Sequence, residues 1–289
     1  MKGIVLAAGK GSRLWPVTRG LSKQLLPIYD KPLIHYPIAT LMLANIREIL
    51  VIVNPADLSQ FQRVLGDGSS LGIDIQFATQ EKPNGLAEAF IIGESFAQNG
   101  SIALILGDNI FYGQGLGIQL QTFRETSGAH IFAYRVKDPE KYGVVGFGEG
   151  GQIVSIEEKP SNPKSDYAIP GLYFCDSQVV EIAKNVRPSS RGELEITSVL
   201  QSYLSAGLLK TTILERGTAW LDAGTFESLH AASTFIKIIE ERQGFKVSCL
   251  EEIAWRKKWI NEEQLNRLAL TYAQSDYSQY LLSLMKHGI

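Results

Sequence analysis

Five short apolar runs alternate with helix-like segments over the first 136 residues, and this alternation limits the possible folds more than any other feature of the chain. The runs are rich in Ile, Val and Leu and cover residues 4–8, 48–53, 73–78, 102–106 and 130–136. Helical apolar spacing is found between them at residues 32–46, 55–66 and 85–97. Strands that alternate with helices form βαβ units, which predicts an α/β fold with a largely parallel sheet. Ligands of such folds bind at the carboxyl ends of the strands.

The pattern changes after residue 136, where shorter strand candidates at 143–148, 152–160 and 167–176 are separated by Gly, Asn and Pro turns. We interpret them as a subdomain built onto the same sheet. Helices are predicted at 193–207 and 225–244, with a strand at 210–215. The remainder has helical patterns without a strand signal. We therefore predict an α/β domain over residues 1–244 and a helical C-terminal tail over residues 245–289, packed on it.

Composition restricts the partners of the chain. The formal net charge is −2, which gives no sign of a broad nucleic-acid or membrane surface, so an anionic ligand needs a local basic site. Cys175 and Cys249 lie far apart and the four histidines are scattered, which argues against a disulfide framework or a zinc site. The sequence has neither a signal-peptide pattern nor a membrane-spanning apolar run. A cytoplasmic enzyme is the simplest interpretation.

The stretch LAAGKGSRLWP, residues 6–16, follows the first predicted strand and is typical of a phosphate-binding loop. Gly9 and Gly11 allow the backbone to approach a ligand with its N–H groups exposed. It is not a P-loop, because Gly3 and Gly9 are one residue too far apart, and it is not a dinucleotide fingerprint, because Leu14 replaces the third glycine. A plain strand-to-helix turn is the alternative.

Basic and acidic residues follow at positions that suit phosphate chemistry. Arg13 offers a planar fork of donors and Lys23 a compact charge, a combination that suits a triphosphate whose charge shifts during reaction. Asp108 and Asp222 each follow an apolar or aromatic stretch, where a turn or helix cap is an equal explanation. If the two carboxylates converge, they suit Mg²⁺ together with phosphate oxygens.

These motifs resemble the signature of the sugar-1-phosphate nucleotidyltransferases. The stretches GSRLWPVT and SKQLLPIYDKPLIHYPI are followed in order by LGDNIFYG, EEKP, GLYFCD, RGELEITS, AWLDAGT and RQGFKVSCLEEIAWR, so the resemblance covers essentially the whole chain. It is strongest to members that convert dTTP and α-D-glucose 1-phosphate to dTDP-glucose and pyrophosphate, for dTDP-rhamnose and other deoxysugars. The departures from the family pattern are Ala8, Lys10, Ser12, Ala223, and Glu88 in place of Gln.

The resemblance implies a Rossmann-like, mixed and mostly parallel sheet flanked by helices, and it assigns roles to individual residues. The catalytic set is Arg13, Lys23, Asp108, Lys159 and Asp222. Within it, Asp108 and Asp222 hold Mg²⁺. The nucleotide-binding set is Ala8, Gly9, Gly11, Ser12, Arg13, Gln24, Gln80, Gly85 and Asp108, of which Gln24, Gln80 and Gly85 meet the thymine base. The sugar-phosphate set is Asn109, Tyr142, Gly143, Glu158, Lys159, Gly171, Tyr173, Arg191 and Trp220.

The implied reaction is an in-line attack of the sugar phosphate oxygen on the α-phosphorus of dTTP, without an obvious need for a general base. Transfer from UTP or another triphosphate is the nearest alternative. A second alternative is a regulator that binds sugar nucleotides without catalysing a reaction. The presence of all five catalytic candidates disfavours it. A nicotinamide-dependent oxidoreductase is disfavoured by Leu14.

The tail contains the basic stretch AWRKKW, but flanking glutamates argue against a membrane or nucleic-acid surface. A helical lid over the core and an interface between subunits are equal interpretations of its apolar faces. The family resemblance implies a homotetramer with a second nucleotide-sugar site between subunits, through which dTDP-rhamnose exerts feedback. The residues implied for that effector site are Tyr112, Gly113, Lys246, Glu252 and Arg256.

Overall fold

The five apolar runs all become strands of one ten-stranded sheet. The computed structural model describes residues 1–123 and 126–287. Its strands are β1 (Lys2–Ala7), β2 (Pro27–Ile28), β3 (Lys31–Pro32), β4 (Glu48–Val53), β5 (Asp74–Thr79), β6 (Ile102–Leu106), β7 (Asn109–Tyr112), β8 (Ala129–Arg135), β9 (Gly143–Phe147), β10 (Ile153–Glu158), β11 (Tyr167–Ala168), β12 (Leu172–Cys175), β13 (Leu209–Ile213) and β14 (Ala219–Asp222). Its α-helices are α1 (His35–Leu43), α2 (Leu58–Leu65), α3 (Glu88–Ile92), α4 (Glu94–Ala97), α5 (Leu116–Gln121), α6 (Val179–Asn185), α7 (Ile196–Ser205), α8 (Phe226–Gln243), α9 (Leu250–Arg256), α10 (Glu262–Thr271) and α11 (Asp276–His287).

The sheet is mixed, with a parallel N-terminal part. Its strand order is β10-β9-β11-β8-β12-β6-β1-β4-β5, and β13 pairs with β8 outside this path. Strand β1 runs parallel to β4 and β6, and β5 runs parallel to β4. Strand β12 is antiparallel to both β6 and β8 and joins the later strands to the parallel part. The predicted fold class is confirmed.

Burial on both faces explains why the central strands are continuous apolar runs. Along β1, Val5 and Ala7 belong to the core that includes α1, whereas Ile4 and Leu6 belong to the core formed with α3, α6 and α7. A strand covered by helices on both faces has no solvent side, so its sequence does not alternate between polar and apolar residues. Polar loops therefore emerge where the strands end, at the carboxyl ends of β1 and β6.

Three local predictions differ from the structure. The predicted helix over 85–97 is divided into α3 and α4 at Gly93, a residue of low helix propensity. The predicted strand over 167–176 is divided into β11 and β12 by a segment that includes Pro170. Strands β7 and β14 were not predicted; they pair antiparallel with Asn109 opposite Asp222.

The C-terminal helices α9, α10 and α11 pack on one another, and α9 also packs on α1. The buried carboxylate of Glu251 accepts hydrogen bonds from the hydroxyls of Tyr272 (2.6 Å) and Tyr277 (2.7 Å). Residues 288 and 289 of the predicted tail lie outside the described residues. Among the described residues, no helix is both long and apolar enough to cross a lipid bilayer.

Four charged side chains connect the end of α8 to the β2–β3 turn. Lys31 and Lys246 each lie 3.0 Å from a carboxylate oxygen of Glu240, and both also contact Asp30. The side chains of Lys31 and Glu240 are nearly fully buried. Because removing one partner of such a cluster leaves a buried charge unpaired, this junction depends on all four groups.

The buried His35 at the start of α1 predicts a loss of stability in acid. Burial lowers the pKa of His35 to about 4, while nearby Glu251 opposes the shift and Lys31 adds to it. Below pH 6.5 the unfolded chain gains a proton that the folded chain does not, so stability is lost as the pH falls from 6.5 towards 4. In urea unfolding, the free-energy loss between pH 7 and pH 5 should be smaller in His35→Gln than in the parent by about 2 kcal/mol.

The exposed His230 on α8 provides the control, because His230→Gln should keep the pH dependence of the parent. Equal acid sensitivity of the parent and His35→Gln would contradict the assignment.

Candidate active site

The loop after β1 turns sharply at Gly11. This residue has φ 58° and ψ 29°, a left-handed conformation that glycine adopts without a steric cost, and its carbonyl accepts a hydrogen bond from the Thr18 hydroxyl (2.7 Å). The following turn, Ser12–Leu14, is anchored by the fully buried Leu14 and leaves Arg13 exposed. The guanidinium of Arg13 lies against Gly224, close to the Asp222 carboxylate. The loop therefore brings a positive charge to the end of β14.

Asp108, just past β6, contacts one charged and one neutral side chain. Its carboxylate forms an ion pair with the buried Lys23, and its other oxygen accepts a hydrogen bond from the side-chain amide of Asn109 (2.8 Å). Burial opposes ionisation of Asp108, but the Lys23 ammonium outweighs it and holds the pKa of the carboxyl below its usual value. The backbone carbonyl of Asp108 accepts from the Ala223 N–H (3.0 Å), so Asp222 is held close by.

The pKa of Asp222 is shifted in the opposite direction from that of Asp108. Burial and the negative charge of Asp108 raise the pKa of its carboxyl, and Lys23 and Arg13 compensate only in part. Tyr142 donates a weak hydrogen bond to Asp222 (3.5 Å), and burial together with this carboxylate raises the pKa of the phenol to about 12. Burial and the nearby Asp108 carboxylate thus disfavour the ionised form of Asp222.

Asn109 is a structural centre of the site and is almost fully buried. Its side-chain oxygen accepts from the indole N–H of Trp220 (2.6 Å) and from the backbone N–H of Gly171 (3.0 Å). The Trp220 ring in turn packs edge-on against Tyr142, with centroids 5.2 Å apart. One side chain therefore fixes the ends of β7 and β14 and the start of β12.

The larger cavity at this sheet edge has a volume of about 560 Å³. It contains both the basic and acidic groups described above and an aromatic wall, the combination expected for an anionic sugar. The sequence-predicted residues that line it are Arg13, Asp108, Asn109, Tyr142, Gly143, Glu158, Lys159, Gly171, Tyr173, Trp220 and Asp222.

Glu158 is the last residue of β10, Lys159 follows it, and both line this cavity. Arg191 donates to Glu158 (3.1 Å) and to the buried Glu195 (2.8 Å), and Lys159 Nζ lies 3.8 Å from Glu158. Burial and the neighbouring Glu195 raise the pKa of Glu158, against the opposing effect of Lys159 and Arg191. Lys159 has a positive φ of 42°, an uncommon conformation for a residue with a side chain.

A smaller cavity of about 200 Å³ adjoins the larger one, and Leu86, Leu106 and Asp108 line both. Gly85 in its wall has φ 115°, and a Cβ there would lie 2.4 Å from the Leu194 carbonyl, so only glycine fits. Of the three residues that line both cavities, Asp108 is the only polar one. The sequence-predicted residues that line the smaller cavity are Gly9, Lys23, Gln24, Gln80, Gly85 and Asp108.

Four predicted residues line neither cavity. Ala8, Gly11 and Ser12 belong to the loop after β1. Arg191 does not line a cavity itself but donates a hydrogen bond to Glu158, which does. Several residues that line the two cavities were not predicted. Thr197 lies in the quoted stretch RGELEITS, and Thr225 with Ser228 forms the capping box of α8, which the TFES spacing indicates. The other missed polar residues are Lys141 and Glu193.

The predicted effector residues lie away from these cavities, in two groups. Tyr112, at the end of β7, donates to the Gln243 side chain (3.4 Å), and Gly113 packs on Thr218.

The second group consists of Glu252 and Arg256 on α9 and Lys246 in the segment between α8 and α9. Arg256 Nε donates to Glu252 (2.7 Å), whose other oxygen accepts from the Tyr280 hydroxyl (2.5 Å). Lys246 is already engaged by Asp30 and Glu240.

Comparison with known proteins identifies the family. The sequence profile described as nucleotidyl transferase matches residues 2–238, so the chain belongs to this family and is an enzyme of the nucleotidyltransferase class. Its full-length relatives are named glucose-1-phosphate thymidylyltransferase. One from Neisseria meningitidis is 56% identical over 99% of this chain and 100% of its own length. One from Mycobacterium tuberculosis is 55% identical over 100% of both chains.

Solved structures agree with the fold. A Bacillus anthracis protein assigned as a glucose-1-phosphate thymidylyltransferase, in complex with sucrose, has a TM-score of 0.75 and 37% identity, covering 81% of this chain and 94% of its own. A UDP-glucose pyrophosphorylase with UDP-glucose has a TM-score of 0.72 at 24% identity, covering 82% of this chain and 98% of its own. The second likeness concerns the fold alone.

Enzymes of this family generally use a divalent metal. Within residues 1–123 and 126–287, no group of three or more His, Cys, Asp or Glu side chains is arranged to hold an ion. The protein can offer the two carboxylates of Asp108 and Asp222, which act on each other electrostatically. Such a pair fits a hard cation that completes its shell with phosphate oxygens and water.

Asn109→Leu should destabilise the fold by about 2–4 kcal/mol, because the buried N–H groups of Trp220 and Gly171 lose their acceptor. Chemical denaturation measures this loss. Asn185→Leu, at the exposed end of α6, is the control and should change stability by less than about 0.5 kcal/mol. An Asn109→Leu variant as stable as the parent would show that this centre is dispensable.

Proposed function

We propose that this chain is a glucose-1-phosphate thymidylyltransferase, which transfers the thymidylyl group of dTTP to α-D-glucose 1-phosphate and releases pyrophosphate. The observation that carries the proposal is the meeting of two cavities at Asp108, one of base size and one of sugar size. A nucleotide sugar has its diphosphate between its base and its hexose. The full-length thymidylyltransferase relatives support the same assignment.

The smaller cavity would hold the base and the larger one the hexose phosphate. Gln24, Gln80 and Gly85, which line the smaller cavity, would contact the base, and the loop of Ala8, Gly9, Gly11 and Ser12 would run beside the phosphates. On the sugar side, Glu158 would accept from hydroxyl groups and Lys159 would pair with the sugar phosphate. The remaining sugar-site residues would be Asn109, Tyr142, Gly143, Gly171, Tyr173, Arg191 and Trp220.

Asp108 and Asp222 would hold Mg²⁺, since this ion favours carboxylate oxygens and commonly binds through one or two of them. After burial, the charge of Asp108 is the main cause of the raised pKa of Asp222, and a divalent cation between the two carboxylates would offset their repulsion. When bound there, Mg²⁺ would neutralise charge on the phosphate oxygens.

The chain's own residues would align two anions and stabilise charge. The sugar phosphate oxygen forms a bond to the α-phosphorus while the bond to the pyrophosphate oxygen breaks on the opposite side. Arg13 and Lys23 would stabilise the triphosphate as charge moves to the leaving group, and Lys159 would hold the attacking phosphate. The sugar phosphate is already anionic, so the reaction needs no general base.

The proposal also covers the location, pathway, domain organisation and regulation of the enzyme. The enzyme would be cytoplasmic and would supply dTDP-rhamnose synthesis. Residues 1–244 would form the catalytic α/β domain, with the tail 245–289 packed on it as an assembly and effector region. The chain would form a homotetramer that binds dTDP-rhamnose near Tyr112, Gly113, Lys246, Glu252 and Arg256.

A pyrophosphate-release assay with glucose 1-phosphate, run with dTTP and UTP side by side, tests the proposed function. The parent should release pyrophosphate faster with dTTP. Arg13→Ala should lower kcat by about 10²-fold with an unchanged melting temperature, because an exposed charge-stabilising donor is lost. Arg19→Ala, also exposed on the same loop, is the control and should keep parental activity. No release with either triphosphate would refute the function, and a fully active Arg13→Ala would refute that residue's role.

Arg256→Ala should weaken inhibition by dTDP-rhamnose while uninhibited turnover stays unchanged, since Arg256 lies on α9 outside both cavities. Arg267→Ala removes a comparable pair with Glu263 four residues away and should leave inhibition intact. Inhibition curves at fixed substrate concentrations measure both variants. Equal inhibition of the parent and Arg256→Ala would rule out this effector site.

A further inference from the structure

Three cationic side chains among the described residues line the larger cavity, those of Arg13, Lys141 and Lys159. The proposed function assigns Arg13 to the triphosphate and Lys159 to the sugar phosphate, but it leaves Lys141 without a role. An exposed lysine is in most cases only a solvated charge. The groups that surround Lys141 therefore decide whether it can act on a ligand.

A short turn, Pro139–Lys141, fixes the backbone of Lys141. Pro139 is buried, and its carbonyl accepts a hydrogen bond from the Tyr142 N–H (3.1 Å). The Tyr142 carbonyl in turn accepts from the Lys159 N–H (3.0 Å), which ties the turn to the end of β10. Lys141 is thus attached to the wall of the cavity and does not belong to a loop remote from it.

The side chain of Lys141 is held by Asp138, whose carboxylate accepts a hydrogen bond from the ammonium (2.7 Å). An ammonium has three N–H donors, so this bond leaves two of them for a ligand. The bond to Asp138 raises the pKa of Lys141, and the charge of Asp222 adds to the shift. Lys141 therefore brings a positive charge within electrostatic range of Asp222.

The position of this charge favours one part of the substrate. Arg13 is at the same end of the cavity, with its guanidinium against Gly224 and close to Asp222. Lys159 lies instead 3.8 Å from Glu158, on the proposed sugar side. In an in-line transfer the attacking and leaving groups are on opposite sides of the phosphorus. With Lys159 on the attacking phosphate, a charge near Arg13 and Asp222 suits the leaving pyrophosphate.

We propose that Lys141 binds the departing pyrophosphate together with Arg13. The inference rests on the proposed function, because it takes the Asp222 end of the cavity as the place where the bond to pyrophosphate breaks. The electrons of that bond go to the pyrophosphate oxygen, and an ammonium nearby stabilises the new charge without transferring a proton. Pyrophosphate carries several negative charges, so a second cation beside Arg13 adds to its stabilisation.

Calorimetry with dTTP and dTMP, without glucose 1-phosphate, tests the proposal in the absence of reaction. The two nucleotides differ by the pyrophosphate group that would leave. Lys141→Met keeps the length of the side chain but removes its charge, so dTTP should bind about tenfold more weakly, the value of one charge-assisted hydrogen bond. Binding of dTMP should stay at the parental value.

Two further variants separate this role from general damage. Lys141→Arg keeps the positive charge and should restore most of the affinity for dTTP. Lys137→Met changes an exposed lysine of the same segment that lines neither cavity, and it should bind both nucleotides like the parent. Equal weakening of dTTP and dTMP in Lys141→Met would show a merely structural role and overturn the proposal.

Steady-state kinetics give a second readout. In the reverse reaction, from dTDP-glucose and pyrophosphate, KM for pyrophosphate should rise about tenfold in Lys141→Met. In the forward reaction, KM for glucose 1-phosphate should be unchanged. A rise in KM for glucose 1-phosphate with an unchanged KM for pyrophosphate would place Lys141 on the sugar phosphate and overturn the proposal.

Failure of the proposed function would be seen separately. If the parent releases no pyrophosphate from dTTP and glucose 1-phosphate, that function fails, and the calorimetric comparison still decides the role of Lys141. A parent that binds dTTP no more tightly than dTMP, or a Lys141→Met variant that binds dTTP like the parent, would refute that role.

Discussion

The ion pair between Lys23 and Asp108 is the interaction on which the site depends. Lys23 follows the loop after β1, and Asp108 follows β6, the parallel neighbour of β1. Lys23 is 7% exposed, so removing either partner would leave a poorly solvated charge, at a cost of about 3–5 kcal/mol for a buried pair. The same contact keeps Asp108 ionised and ready to act with Asp222.

The parallel part of the fold was predictable because its strands are buried on both faces, which leaves an unbroken apolar signal at residues such as Ile4, Val5 and Leu6. The β7–β14 pair was not predictable. Its strands have four residues each and lie more than a hundred residues apart in the chain. Short pairs of this kind depend on tertiary contacts, here the hydrogen bond from Trp220 to Asn109, rather than on local pattern.

Part of the candidate site was visible in the sequence because phosphate chemistry needs particular residue types near glycines, as in Gly9, Gly11 and Arg13. The convergence of Asp108 and Asp222 depends on the unpredicted β7–β14 pairing, so it came only from family resemblance and then from the structure. The role proposed for Lys141 had no sequence signal either. It follows from the turn Pro139–Lys141 and from the cavity that the side chain lines.

The central claim is that one nucleotide sugar spans both cavities with its diphosphate at Asp108. A crystal structure of the chain with dTDP-glucose and Mg²⁺ tests it most directly. We expect the thymine ring beside Gln80 and Gln24, the hexose between Glu158 and Trp220, and the diphosphate next to Asp108 and Asp222. A thymine ring bound in the larger cavity, or a diphosphate remote from Asp108, would contradict it.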